Sequence, residues 1–292
     1  KMREKILITG GTGFIGYHLI KRLKNNFNVI SLSSSKPKID KKIKNITYLK
    51  SDIYKKASLF KKLNSIDVDY VINLAGYVDH SNKKKTTQTH YYGCKNLVDY
   101  FCNKKIKLFL QIGSSLEYGN KRSPHHESLK CKPNAVYGNS KLKSTKYILK
   151  TAKYQRFPFV ILRLYQVYGP NQRINRLIPI VINSCLKNKK FKCSPGLQTR
   201  DFLYIDDLVR LISKIIHSKK KIEGIFNVGS DHPIKVREVI EMIKKKIKKG
   251  KPQYGEISMR KDESNQYFPS IKKISKQIHW RPRVSLSLGL KK

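Results

Sequence analysis

Apolar and polar residues alternate along the chain in two rhythms. Short apolar runs occur at Lys5–Thr9, Asn28–Leu32, Tyr70–Leu74, Leu108–Ile112 and Phe159–Leu164. Their length and their content of Ile, Leu and Val predict buried strands. Between them, Phe14–Leu23, Thr86–Phe101 and Asn139–Thr151 have helical length and apolar residues spaced for one helix face. Strands alternating with helices predict an α/β fold built on a doubly wound parallel sheet. After Pro170 the rhythm loosens, although Asp206–His217 and Lys235–Lys248 still read as helices. The expected division is residues 1–168 for the first domain and 169–292 for a smaller lobe, part of which returns to the first sheet.

The first strand runs into ITGGTGFIG, residues 8–16. Gly11, Gly13 and Gly16 satisfy GxGxxG, and Gly10, Gly13 and Gly16 satisfy GxxGxxG. The loop follows a strand and opens a helix, the context that gives the motif its meaning. Bare Cα atoms let the backbone turn sharply and approach a pyrophosphate at the positive end of the helix. The first domain is therefore expected to be a Rossmann-type dinucleotide-binding domain, with Gly10, Gly13, Phe14, Ile15 and Gly16 beside the dinucleotide. The next strand ends in Ser33, Ser34, Ser35 and Lys36 rather than in an acid. Hydroxyls and a cation suit a 2′-phosphate, so NADP is expected in preference to NAD.

Composition changes this picture little. With 63 Lys and Arg against 19 Asp and Glu, the net charge is +44, which raises the question of nucleic acid. The lysines lie in short clusters among apolar residues and no basic-aromatic binding module is present, so nucleic acid is not the expected partner. No apolar run reaches the length of a membrane span, and no secretory leader or membrane association is expected. The five cysteines are scattered and lack a CxxC pair. No metal site or disulfide framework is predicted, and a reducing cytoplasm is expected.

Tyr137 and Lys141, in VYGNSK, share one helix face because residues four apart lie above one another. A free phenol loses its proton near 10 and is a poor base at neutral pH. A nearby ammonium, together with an oxidised nicotinamide ring, stabilises the phenolate, so the pair can exchange a proton with a carbonyl oxygen as hydride moves. Ser114 in GSSLEYG, at the end of the preceding strand, is the candidate donor to the same oxygen.

Taken in order, GGTGFIG, NLAG, GSSLEYG, YGNSK, RLYQVYGP, TRDFLYIDDL, FNVGS and WRPRVSLSLGL cover nearly the whole chain. The chain thereby resembles the extended short-chain dehydrogenase/reductase family, the nucleotide-sugar epimerases, dehydratases and 4-ketoreductases. The resemblance implies a catalytic triad of Ser114, Tyr137 and Lys141, with Lys141 also holding the nicotinamide ribose. It implies Asp52 and Ile53 beside the adenine, and Leu74, Ala75 and Gly76 along the dinucleotide. Ser115, Gln166, Arg200 and Arg260 become the expected substrate contacts, the arginines gripping a pyrophosphate with their fork of donors. A homodimer formed through helices is also implied.

Three departures from the family pattern narrow the activity. Family dehydratases carry Asp-Glu directly after the catalytic hydroxyl, where this chain has Ser115 and Leu116. Glu117, one position on, is expected on the opposite side of a strand. The Asn of the RxxNVYGP-like stretch is Gln166, and another common Asn is His90, which receives no role. The expected function is reduction of a nucleotide-linked 4-keto-6-deoxy sugar at C4, with Tyr137 as proton donor. The alternative is an NAD-dependent nucleotide-sugar 4-epimerase. An alternative of another class is a catalytically silent, cofactor-binding regulatory or RNA-associated protein.

Overall fold

The apolar run Lys5–Thr9 forms β1, in which Ile6, Leu7 and Ile8 are fully buried, as an interior parallel strand requires. The computed structural model describes residues 3–79, 81–258 and 264–292. After β1 come α1 (Phe14–Leu23), β2 (Asn28–Ser33), β3 (Thr47–Lys50), α2 (Lys56–Leu63) and β4 (Tyr70–Asn73). Next are α3 (Lys83–Thr87), a π-helical turn (Gln88–Tyr92), α4 (Gly93–Phe101), β5 (Leu108–Ser114), α5 (Val136–Gln155) and β6 (Phe159–Leu164). Then follow β7 (Gln166–Tyr168), α6 (Leu177–Leu186), β8 (Lys190–Cys193), β9 (Thr199–Arg200), β10 (Phe202–Tyr204) and α7 (Ile205–Ile216). The chain continues through β11 (Gly224–Val228), β12 (Ile234–Lys235), α8 (Val236–Ile247) and β13 (Lys251–Tyr254). It ends with β14 (Gln266–Tyr267), α9 (Lys272–Ile278) and α10 (Leu286–Gly289).

Two compact units result. One gathers Lys1–Gly119, Lys130–Leu164 and Val209–Phe226; the other gathers Asn120–Leu129, Tyr165–Leu208 and Asn227–Lys292. The first is built on a seven-stranded sheet in the order β11-β6-β5-β4-β1-β2-β3. Every pairing from β6 across to β3 is parallel. From β1 the strands run outward to β3, then return to the other side of β1 as β4. That reversal of strand order between β1 and β4 makes the switch point where such sheets hold ligands. Helix α1 buries Gly16, Leu19, Ile20 and Leu23, a spacing of one helix face. Leu97, Val98, Phe101, Phe109 and Phe157 lie in one core cluster with Leu7. The sequence-based α/β doubly wound expectation is what the chain adopts.

The second unit is made of short strands. β9 pairs antiparallel with β12 and parallel with β14, while β7 pairs with β10 and β8 with β13. Trp280 is almost completely buried, and the carboxylate of Asp207 accepts the amides of Arg283 and Val284 at 2.9–3.0 Å. No helix among the described residues is long and apolar enough to cross a membrane.

Candidate active site

β5 ends at Ser114, and Ser115–Glu117 turn directly into a short 3-10 helix. The Ser114 hydroxyl oxygen accepts the Leu116 amide at 3.2 Å, and the Ser114 amide donates to Glu117 Oε1 at 2.9 Å. This reciprocal pair is a capping box, and it fixes the serine at the mouth of the strand. Glu117 Oε2 accepts Thr145 Oγ1 at 2.8 Å and Arg163 Nε at 3.0 Å, and Arg163 Nη2 lies at the same distance. The carboxylate is fully buried. The strand geometry expected for Glu117 is thus replaced by a turn that folds its side chain inward. Either way, no carboxylate faces outward from the segment after Ser114.

Helix α5 begins at Val136, earlier than its apolar pattern indicates, so both Tyr137 and Lys141 lie within it. Its buried face is polar: Gly138, Ser140, Lys141, Ser144 and Thr145 precede the aliphatic Ile148. Three of these residues tie α5 to the end of β5 and the turn after it. A Cβ on Gly138 would lie 2.4 Å from the Leu116 carbonyl oxygen, so only glycine lets the helix approach this closely. Lys141 Nζ donates to the Ile112 carbonyl at 2.7 Å, and Thr145 donates to Glu117. Their spacing of three and then four residues is one helix face. Lys141 is 4% exposed, and its Nζ stands 5.9 Å from the centre of the half-buried Tyr137 ring. A phenol beside a buried ammonium, on a helix locked to the strand that presents Ser114, can hold and transfer a proton.

His90, given no role from sequence, packs its ring edge-on against Tyr137, with centroids 4.8 Å apart at 84°. The π-helical turn Gln88–Tyr92 carries it inward, where it is 4% exposed. Its Nε2 lies 3.2 Å from the Tyr77 amide nitrogen and 3.0 Å from the Tyr77 carbonyl oxygen. A Cβ on Gly76 would come within 2.9 Å of the imidazole, so that glycine admits the ring. The sequence signal was there, a ring in place of the usual amide, but the π turn that aims it was not legible.

The glycine loop tests whether a dinucleotide fits. Gly10 has φ +69°, and a Cβ there would stand 2.9 Å from backbone atoms of Leu74 and Ala75. The loops after β1 and β4 therefore touch at the switch point, and only glycine permits it. A Cβ on Gly16 would lie 2.5 Å from the Gly10 carbonyl oxygen. Gly13 is different: it is exposed, and among the described residues the only atom a Cβ would meet is the Gly10 carbonyl oxygen at 3.2 Å. It is also the N-cap of α1, with no side-chain cap and no acid in the first turn. The positive helix end faces open space across a bare Cα, with Phe14 and Ile15 half-buried behind it. That arrangement fits a dinucleotide pyrophosphate.

Residues 6–229 match the family pattern described as the NAD dependent epimerase/dehydratase family. The chain belongs to that family. Among its relatives, dTDP-D-glucose 4,6-dehydratase of Dictyostelium discoideum is 31% identical over 82% of this chain, which spans 61% of that protein's length. dTDP-4-dehydro-6-deoxyglucose reductase of Escherichia coli is 29% identical, covering 99% of this chain and 96% of the relative. The crystal structure of UDP-glucuronic acid 4-epimerase from Bacillus cereus, in complex with UDP-glucuronic acid and NAD, superposes with a TM-score of 0.89 at 28% identity. That match covers 98% of this chain and 96% of the epimerase.

The remaining positions where the epimerase/dehydratase resemblance implies contacts are placed as follows. Ser33 is buried and its hydroxyl accepts the Thr12 amide at 3.3 Å, while Ser34, Ser35 and Lys36 are exposed. Asp52 is half-buried beside Lys55 at 3.4 Å, and the carbonyl of the buried Ile53 accepts Asn96 Nδ2 at 3.0 Å. Leu74 and Ala75 are half-buried and Gly76 is exposed. Ser115 is buried in the turn after Ser114. In the second unit, Gln166 opens β7 with an exposed side chain. The Arg200 guanidinium donates to the carbonyls of Thr199 and Ser264 at 2.8 and 3.0 Å. Arg260 lies outside the described residues.

Proposed function

We propose that this member of the epimerase/dehydratase family reduces the C4 ketone of a nucleotide-linked 4-keto-6-deoxy sugar. The observation that carries the reading is the turn after Ser114. It is locked to the helix bearing Tyr137 and Lys141, while its one carboxylate, Glu117, is closed inside the fold. Carbonyl chemistry is supported by the first feature, and elimination of water is disfavoured by the second. The 29% identity to the Escherichia coli reductase, over almost the whole of both chains, supports the same direction.

In this reading the Tyr137 hydroxyl gives its proton to the C4 oxygen. Ser114 Oγ already accepts the Leu116 amide, so its own hydrogen is directed elsewhere and can be donated to that oxygen. The Lys141 ammonium stabilises the phenolate left behind. The bound dinucleotide supplies the hydride. Ser34, Ser35 and Lys36, with no acid among them, suit a 2′-phosphate and make NADPH the preferred form. Arg200 and Arg260 are assigned to the diphosphate of the sugar nucleotide and Gln166 to the sugar.

A second reading, an NAD-dependent 4-epimerase, is favoured by the likeness to the Bacillus cereus enzyme. The two differ in coenzyme stoichiometry. Nucleotide-linked 4-keto-6-deoxy sugars should consume one NADPH per 4-hydroxy product, faster than NADH. Catalytic formation of a C4 epimer from a UDP-hexose, with no coenzyme added, would establish the epimerase instead.

A further inference from the structure

The last rung shared by β1, β4 and β5 is polar and buried. Thr9 lies opposite Asn73, and Asn73 opposite Gln111, so three neighbouring strands place the three side chains in one row. All are 2% exposed or less. A polar row at this depth is costly unless its groups bond to one another. Thr9 Oγ1 donates to Asn73 Oδ1 at 2.6 Å, and Asn73 Nδ2 donates to Gln111 Oε1 at 2.7 Å. Gln111 Nε2 donates to the Ile112 carbonyl at 2.8 Å, the same oxygen that receives Lys141 Nζ at 2.7 Å.

Two details fix the direction of the chain. The Ala75 amide donates to both Thr9 Oγ1 and Asn73 Oδ1 at 3.3 Å, which orients the asparagine. Cys94 Sγ donates to Gln111 Oε1 at 3.2 Å, which orients the glutamine. Burial pushes the Cys94 thiol up to about 12, so it stays protonated and remains a donor. Beyond Asn73 the β4–β5 ladder ends, and Ile112 has no partner in β4. Its carbonyl has two lone pairs, one for the amide of Gln111 and one for the ammonium.

We propose that Gln111 is a positioning residue for Lys141. By occupying one lone pair of the Ile112 carbonyl, it leaves a single direction for the ammonium. Through Asn73 and Thr9 it couples that ammonium to the strand end just ahead of Gly10. The proposal rests on reading Lys141 as the cation beside the working phenol, but its first test does not need turnover. The bonds from Thr9 through Asn73 and Gln111 to the Ile112 carbonyl run head to tail and strengthen one another. At that carbonyl the Gln111 amide and the Lys141 ammonium converge as two donors, so loss of Gln111 frees the ammonium to turn about the oxygen.

The variant is Gln111→Met, similar in length and unable to make these bonds. Gln111→Asn, polar but too short to span Asn73 and the Ile112 carbonyl, serves should the methionine variant fail to fold. Competitive acetylation with acetic anhydride, read by peptide mass spectrometry, reports the reactivity of Lys141 against the exposed lysines as internal standards. The variant should label Lys141 faster by at least about threefold, the change in free amine that half a pH unit brings. With a 4-keto sugar nucleotide, kcat should fall about tenfold to a hundredfold, as small misplacements do, with a displaced pH profile and little change in sugar KM. A lower melting temperature with unchanged Lys141 labelling and an unchanged pH profile would overturn the proposal and leave Gln111 as core filling. If the wild type turns over no keto sugar while the labelling changes as expected, the reaction reading fails and the positioning role stands.

Discussion

Arg163 reaches Glu117 with two nitrogens, Nε and Nη2, each 3.0 Å from the same carboxylate oxygen. Both side chains are 3% exposed or less. The partner oxygen accepts the Ser114 amide, so one buried ion pair supports the serine that the site presents. Removing either partner strands the other charge. Glu117→Ala is expected to destabilise the protein by about 3–5 kcal/mol, measured by urea unfolding. A loss under about 1 kcal/mol would mean that the pair is not the support described.

The glycine loop makes a second prediction. Gly16→Ala places a methyl 2.5 Å from the Gly10 carbonyl oxygen and 2.6 Å from the Gly11 Cα, both backbone atoms that cannot swing aside. The loop must shift, costing about 1–3 kcal/mol as overpacking does. Dinucleotide affinity, read by calorimetry, should fall with it. Gly255→Ala is the control at a glycine whose Cβ would meet nothing within 4 Å among the described residues; it has φ +85°, so a cost in stability is expected there, without loss of dinucleotide binding.

His90→Ala should separate binding from proton transfer. The ring packs edge-on against Tyr137, and without it the phenol gains room to turn. Turnover should fall about tenfold or more while dinucleotide affinity stays within about threefold of wild type. Equal losses in both would show that His90 holds the Tyr77 loop rather than the phenol.

Legibility followed local chemistry. β1, α1 and β6 match their sequence-based bounds because each is an apolar run or a clean 3.6-residue stripe, self-evident without neighbours. α5 runs from Val136 to Gln155, longer than its apolar spacing indicates, because its buried face is Gly138, Ser140, Lys141, Ser144 and Thr145. Hydrogen bonds to distant residues, not hydrophobicity, hold that face. The helix expected as continuous over Thr86–Phe101 is α3, a π turn and α4, and the change of pitch turns on one inserted residue that periodicity does not register. β9 spans two residues and exists only because β12 and β14 pair with it. In the site, Tyr137, Lys141 and Ser114 were legible as motif. The row from Thr9 through Asn73 to Gln111 was not, since its members are joined across the sheet rather than along the chain.

The second unit carries a pH prediction. Asp201 is fully buried, accepting the Ser230 amide at 2.6 Å and its hydroxyl at 3.0 Å. Burial pushes its carboxyl up to about 6, against those hydrogen bonds. A carboxyl raised in the folded state favours folding while protonated, so its contribution is full below pH ~4 and declines as pH rises through ~6. Relative to Asp201→Asn, the wild type should therefore lose about 2–3 kcal/mol of stability between pH 4 and pH 7. A difference independent of pH would show that Asp201 is ionised throughout.

Tyr137 is the proposed proton carrier, and one measurement addresses that role: Tyr137→Phe assayed with NADPH and a nucleotide-linked 4-keto-6-deoxy sugar, beside calorimetric binding of NADPH. Turnover should be lower by about a thousandfold or more, with coenzyme affinity close to wild type. Reduction at the wild-type rate, or coenzyme binding lost in step with activity, would contradict it.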